Sequence, residues 1–173
     1  MAVLTENEEV IKLCVDRFKN ILLPNQMAND GSFPLELKRT KPYGYSLFNI
    51  DAFFNLATIL HTVEDNLFEY ETKDGKSIKK GLEFIYPYIK NKSEWPYEKD
   101  IFIWEEWPVC HPALLFGALA YGNLNYLELY LKLPKYPSHS EVIRNLPVRH
   151  PLIWILNDDC INLNFFNYPD GVC

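Results

Sequence analysis

The chain has 173 residues, 48% of them apolar, with 23 acidic against 17 basic side chains and a net charge of −6. That much apolar material can bury a core, which excludes a disordered chain. The acidic balance excludes a general nucleic-acid binder, because phosphate needs a basic face; a polyanion can still be met by a locally positive cleft.

The first helix is predicted from a capping box, Thr5 with Glu8. Ile11, Cys14, Val15, Phe18 and Leu22 then form one helical stripe, which Pro24 is expected to end. From Asn25 to Pro42 the chain is rich in turn residues (Asn29-Asp30-Gly31, Pro34, Pro42) and reads as a loop with short extended pieces. A second helix, from about Gly44 to Val63, is apolar almost all round and should be buried on most sides. The third follows Asp74-Gly75 and carries Ile78, Leu82, Ile85 and Ile89 on one face, with Lys76, Lys79 and Lys80 mostly on the other. A Trp-rich loop, Ser93 to His111, separates it from a fourth helix that begins after Pro112 and runs through Leu114, Leu115, Ala118, Leu119 and Tyr121 to Leu124 and beyond. After Pro137 the periodicity weakens. No alternating strand pattern appears, so the class is all-α. Buried helices alternating with amphipathic ones suggest an inner and an outer layer.

The densest chemistry lies in Glu36-Leu37-Lys38-Arg39-Thr40-Lys41-Pro42-Tyr43-Gly44-Tyr45, with three cations and two phenols just ahead of the apolar helix. A guanidinium grips a carboxylate with two parallel hydrogen bonds. A phenol beside a cation is the kind of group that moves a proton. The plainer readings are a surface ion pair of Arg39 with Glu36 or Asp51, and a Tyr45 hydroxyl bonded to backbone. Tyr43 stands at similar range, and the sequence does not separate the two phenols. Aromatics make up 15% of the chain, which suits core packing or sugar-stacking platforms.

The second concentration is Trp104-Glu105-Glu106-Trp107-Pro108-Val109-Cys110-His111. Glu105 and Glu106 suggest a glycosidase acid/base pair, but adjacent residues point in different directions; Trp107 and His111 fit better as sugar-subsite residues. His61, His139 and His150 are isolated, and Cys14, Cys110, Cys160 and Cys173 form no CxxC pair, so no metal or other cofactor is expected. No apolar run is long enough to span a bilayer, so no membrane partner is expected. The residues after Met1 form no apolar h-region, so no secretory signal is visible and the chain, read as written, is expected to be soluble and not exported.

The stretch from Asp30 to Ala52, with Arg39 and Tyr45 at its centre, resembles the central motif of the alginate lyase family. Tyr86-Pro87-Tyr88 and the segment from Arg144-Asn145 to Trp154 resemble its distal part, and the similarity spans about residues 6–155. The resemblance implies a partial (α/α) toroid of antiparallel helix pairs over residues 1–155, followed by an irregular tail, 156–173. It implies β-elimination on an acidic, uronate-containing polysaccharide, with Tyr45 as acid, and as base too in a syn elimination. Arg39 would steady the carboxylate or lower the Tyr45 pKa. Lys38, Lys41, Tyr43, Asn49, Trp107 and His111 are expected to bind substrate.

Such lyases also use an Asn and a His from helices upstream of the motif, and none of the four His here matches that position. The chain is therefore expected to be the C-terminal portion of a toroid, with the N-terminal half as partner and weak or no activity alone. A non-catalytic module that binds acidic glycans, and a helical-toroid glycoside hydrolase using Glu105 or Glu106, are the alternatives. Resemblance implies a periplasmic or extracellular setting, against the absent signal.

Overall fold

The computed structural model describes residues 6–62 and 65–155. Asn7 opens the first helix, its Oδ1 accepting the Val10 N–H at 3.1 Å. The Thr5 of the expected capping box lies outside the described residues. Helix α1 (Glu8–Arg17) passes through a π-helical turn (Phe18–Leu22) into α2 (Leu23–Gln26) without leaving helical backbone at either junction. Pro24 does not end the helix as expected. The chain passes through it in helical backbone, directly after the π-helical turn, and turns extended only at Met27. The region read as a loop contains one helical turn, α3 (Pro34–Leu37).

Helix α4 (Pro42–Leu60) starts earlier than predicted, because the fixed φ of proline suits the first helical position. It ends at His61, whose backbone is extended; Val63 lies outside the described residues. Helix α5 (Ile78–Lys90) is capped by Ser77 and buries Ile78, Leu82, Ile85 and Ile89, the face the sequence indicated. The Trp-rich segment folds into two short 3-10 turns, Lys92–Glu94 and Trp104–Glu106. The predicted fourth helix is two: α6 (Pro112–Tyr121) and α7 (Leu124–Lys132). Gly122, in left-handed backbone at φ 63°, stops the first, and the Asn123 side chain caps the second. So short a connection makes α6 and α7 antiparallel neighbours. Two short helices follow, α8 (Ser140–Arg144) and α9 (Leu152–Ile155).

No strand occurs among the described residues, and the fold is all-α. Helix α4 is the hub, in contact with α1, α3, α5 and α6, while α6 also packs on α5 and α7. Both α4 and α6 are buried over most of their length, whereas α1, α5 and α7 each bury one face. Gly117 lets α5 and α6 meet: a Cβ there would lie 2.4 Å from Leu82 Cδ2.

The open residues of α4 fall almost entirely on one stripe. Tyr45, Phe48, Asn49, Ala52, Leu56 and Ile59 are half-buried or exposed and share a helical face, with the first and third supplying its polar head. Below that head the stripe is apolar. Cys14 and Cys110 are free thiols, and Cys160 and Cys173 lie outside the described residues, as does the expected tail from residue 156. No described helix is long and apolar enough to cross a membrane.

Candidate active site

The head of α4 is built from two directions. Lys41 occupies the N-cap position without capping through its side chain, and Pro42 has no N–H to satisfy. The next two amides, of Tyr43 and Gly44, both donate to the carboxylate of Asp100, at 2.8 and 2.9 Å. A buried carboxylate from far along the chain thus caps this helix. Burial pushes the Asp100 carboxyl above its usual range, more strongly than the two amides and the charges of Lys41 and Lys92 pull it down. Gly44 is required here, because a Cβ would meet Asp100 Oδ2 at 2.7 Å and Trp107 Nε1 at 2.9 Å. The Ile101 N–H donates to the Thr40 carbonyl at 3.1 Å, so the loop leading to Trp104 is tied to the same corner.

On this platform the Arg39 guanidinium lies 3.6 Å from the centroid of the Tyr45 ring. The Lys41 ammonium stands 4.9 Å from the same centroid. Each cation has a carboxylate behind it. Arg39 Nη1 donates to Glu36 Oε2 at 2.9 Å, a surface ion pair, while the guanidinium stacks on Tyr45. Lys41 pairs with Glu141, which also accepts from Arg144 Nη2 at 2.6 Å. Burial works against the Lys41 ammonium, but Glu141 and the Tyr45 phenol outweigh it and hold its pKa above the usual value. Lys41 in turn holds the Glu141 carboxyl below the usual range. Asn49 sits one turn beyond Tyr45 on the same face of α4, and Lys38 is exposed beside Arg39.

The other expected substrate contacts are elsewhere. Tyr43 is 0% exposed, its hydroxyl donates to the Tyr88 carbonyl at 3.0 Å, and its ring is wedged against Trp95 and Trp104. Burial raises the pKa of that phenol well above the usual value, so it holds its proton. The two phenols are thereby separated by environment, and Tyr43 is a core residue. His111 is 1% exposed and its Nδ1 lies 2.8 Å from Asp51 Oδ2; Asp51 Oδ1 accepts the Ala113 N–H at 3.0 Å. Trp107 is 3% exposed and stacks on His111 at 5.7 Å. These residues clamp the start of α6 to the middle of α4, and no substrate reaches them in this structure. The Trp107 Nε1–H is buried with no partner among the described residues.

Glu105 and Glu106 occupy an exposed 3-10 turn, with Glu105 3.6 Å from Lys92. A cavity of about 410 Å³ runs along this turn from Asp100 to Glu106 and His139. No group of three or more His, Cys, Asp or Glu among the described residues is placed to hold a metal ion. Asp100 and Glu141 shape the site but were not read from the sequence. Each acts across a long chain separation, and no local pattern announces it.

The alginate lyase family model matches residues 1–95, more than half of the chain. The chain belongs to the alginate lyase family. Arg39, Lys41, Tyr45 and Asn49 all fall inside the matched residues, whereas Trp107, His111 and Glu141 fall outside them. Among solved structures, the chain is similar to an alginate lyase from Bacteroides ovatus, at 28% identity and a TM-score of 0.64. That match covers 84% of this chain and 38% of the other, so this lyase-family chain spans under two fifths of that enzyme's length. No curated protein matches the chain.

Proposed function

We propose that this chain supplies one wall of a polyuronate lyase site, with Tyr45 as the proton-transfer group and Arg39 as its electrostatic partner. The observation that carries this reading is the cation stack at the head of α4: Arg39 at 3.6 Å and Lys41 at 4.9 Å from the Tyr45 ring. In β-elimination the C5 proton of a uronate is removed and its electron pair forms the C4=C5 double bond. The C4–O4 bond breaks, and O4 takes a proton. Tyr45 delivers that proton, and in a syn elimination its oxygen first takes the one from C5. Two cations beside the ring put positive charge next to the group through which such a transfer passes. They also stabilise the substrate carboxylate as it becomes enolate-like, which is worth on the order of 3 kcal/mol per well-placed donor.

The same reading makes this wall incomplete. The resemblance calls for an Asn and a His near the reacting carboxylate, and the charged groups beside the Tyr45 ring among the described residues are the cations Arg39 and Lys41. The apolar stripe Phe48–Ala52–Leu56–Ile59 runs down α4 directly from Tyr45, as a helix face does when further helices cover it. The span of 38% of the related enzyme leaves ample fold to do so. Alone, the chain is expected to bind acidic polysaccharide and to cleave it slowly or not at all.

The test is absorbance from the unsaturated product when purified chain meets polymannuronate or polyguluronate, with binding measured in parallel. Slow product formation lost in Tyr45→Phe, with binding retained, supports the reading. Product formed equally by Tyr45→Phe sinks it, and fast turnover by the chain alone sinks the incompleteness.

A further inference from the structure

Two adjoining cavities, of about 250 and 240 Å³, open on the side of the molecule formed by the α7–α8 connection and the segment before α9. They share one wall: Lys135, Tyr136, Arg149 and His150. Together they reach the size of small-ligand clefts. In a chain of net charge −6, neither cavity has a carboxylate among the described residues that line it. The first lobe is floored by Cys110 and Tyr130, both buried. Lys135 and Arg149 are both exposed where they line the lobe. Tyr136 stands 86% exposed at the shared rim, a ring free to stack.

Two cations on the wall of one concave surface raise the positive potential in it, which favours a bound anion. The Arg149 fork suits a planar carboxylate, and the exposed phenol suits the apolar face of a sugar ring. We infer that the Lys135–Arg149–His150 cleft is a second anion site, which takes the carboxylate of an acidic sugar at a distance from Tyr45. The choice of ligand rests on the lyase reading; the site itself rests on the cleft. Helix α8 separates the two sites. Its Glu141 faces Lys41 at the first, and its Ile143, two residues on and so on a different face, lines the second. A polyuronate held there is anchored without being cleaved, and the first site gains effective concentration from it.

The experiment is an NMR titration of the full chain with a mannuronate trimer, a neutral β-glucan trimer and inorganic phosphate in separate arms, repeated on Arg149→Glu, Lys135→Glu and Tyr45→Phe. The uronate alone of the two sugars is expected to shift the amides of residues 135–136 and 149–150. Arg149→Glu and Lys135→Glu should each weaken that response at least ten-fold, and Tyr45→Phe should leave it unchanged. Both charge variants change exposed side chains, and an unchanged melting temperature shows that they fold. Uronate shifts confined to the Tyr45 region overturn the second site and leave the lyase reading intact. Shifts at 135–150 from phosphate and not from uronate overturn the assignment to acidic sugars. Wild-type affinity retained in both charge variants overturns the role of the cations.

Discussion

Two polar clusters sit on α4 less than two turns apart, in opposite surroundings. At Tyr45 a phenol, a guanidinium and an ammonium meet at a partly open helix head, each cation backed by a carboxylate. At Asp51 a carboxylate, an imidazole and an indole meet under complete burial, where Asp51 bonds His111 and the Ala113 amide. Either set, taken as residue types, could serve catalysis. Water access separates them: the first lies partly open, while the second has spent its hydrogen bonds holding two helices together. A buried polar network of that kind is strongly destabilising to break.

Changes in the two clusters should therefore part along activity and stability. Tyr45→Phe is expected to cut any lyase turnover by 10²-fold or more, the usual weight of a positioned acid or base, while leaving the urea midpoint close to wild type. Asp51→Ala is expected to do the reverse. It leaves the His111 imidazole and the Ala113 amide unpartnered in the core and should lower stability by about 2–4 kcal/mol in urea unfolding. If Asp51→Ala unfolds no more easily than Tyr45→Phe, the two clusters do not differ as described. Gly44→Ala probes the join between the site and its support. A methyl group there meets the Asp100 carboxylate and Trp107, so a loss of about 1–3 kcal/mol is expected.

Two carboxylates near the site should respond to pH in opposite senses. Glu141 has a folded pKa below its usual 4.5, so its pairing adds stability above that value and loses it as pH falls through the lowered folded pKa. Asp100 has a folded pKa above its usual 3.8, so the native state binds the extra proton and stability falls as pH rises through that window. In acid titrations followed by melting temperature, Glu141→Gln should flatten the low-pH decline and Asp100→Asn should steepen it. Opposite signs would place the two charges wrongly. The smallest effect is expected from Glu105→Gln with Glu106→Gln, where exposed neighbours on a 3-10 turn should leave lyase turnover unchanged; chain cleavage without unsaturated product, abolished in this double variant, would favour a glycosidase.

The all-α class, the buried α4 and the α5 face were legible because helical periodicity is local. The Arg39–Tyr45 pair was legible for the same reason: six residues across a proline-led helix start bring the side chains together. What failed was long-range. Nothing in the spacing of Trp107 and His111 tells a sugar subsite from a clamp, since Asp51, which decides it, lies far upstream. Tyr43 and Tyr45 differ by which way the first turn of α4 faces, and that is set by Asp100. The split of the fourth helix was readable after all, from Gly122-Asn123, a stop signal followed by a cap.

The most direct measurement is the rate of unsaturated-product absorbance from polymannuronate, taken at high protein concentration for wild type, Arg39→Ala and Tyr45→Phe. If the cation–phenol pair carries the chemistry, any wild-type rate is slow, that of Arg39→Ala is lower, and Tyr45→Phe shows none. A measurable wild-type rate that Tyr45→Phe leaves unchanged would contradict it.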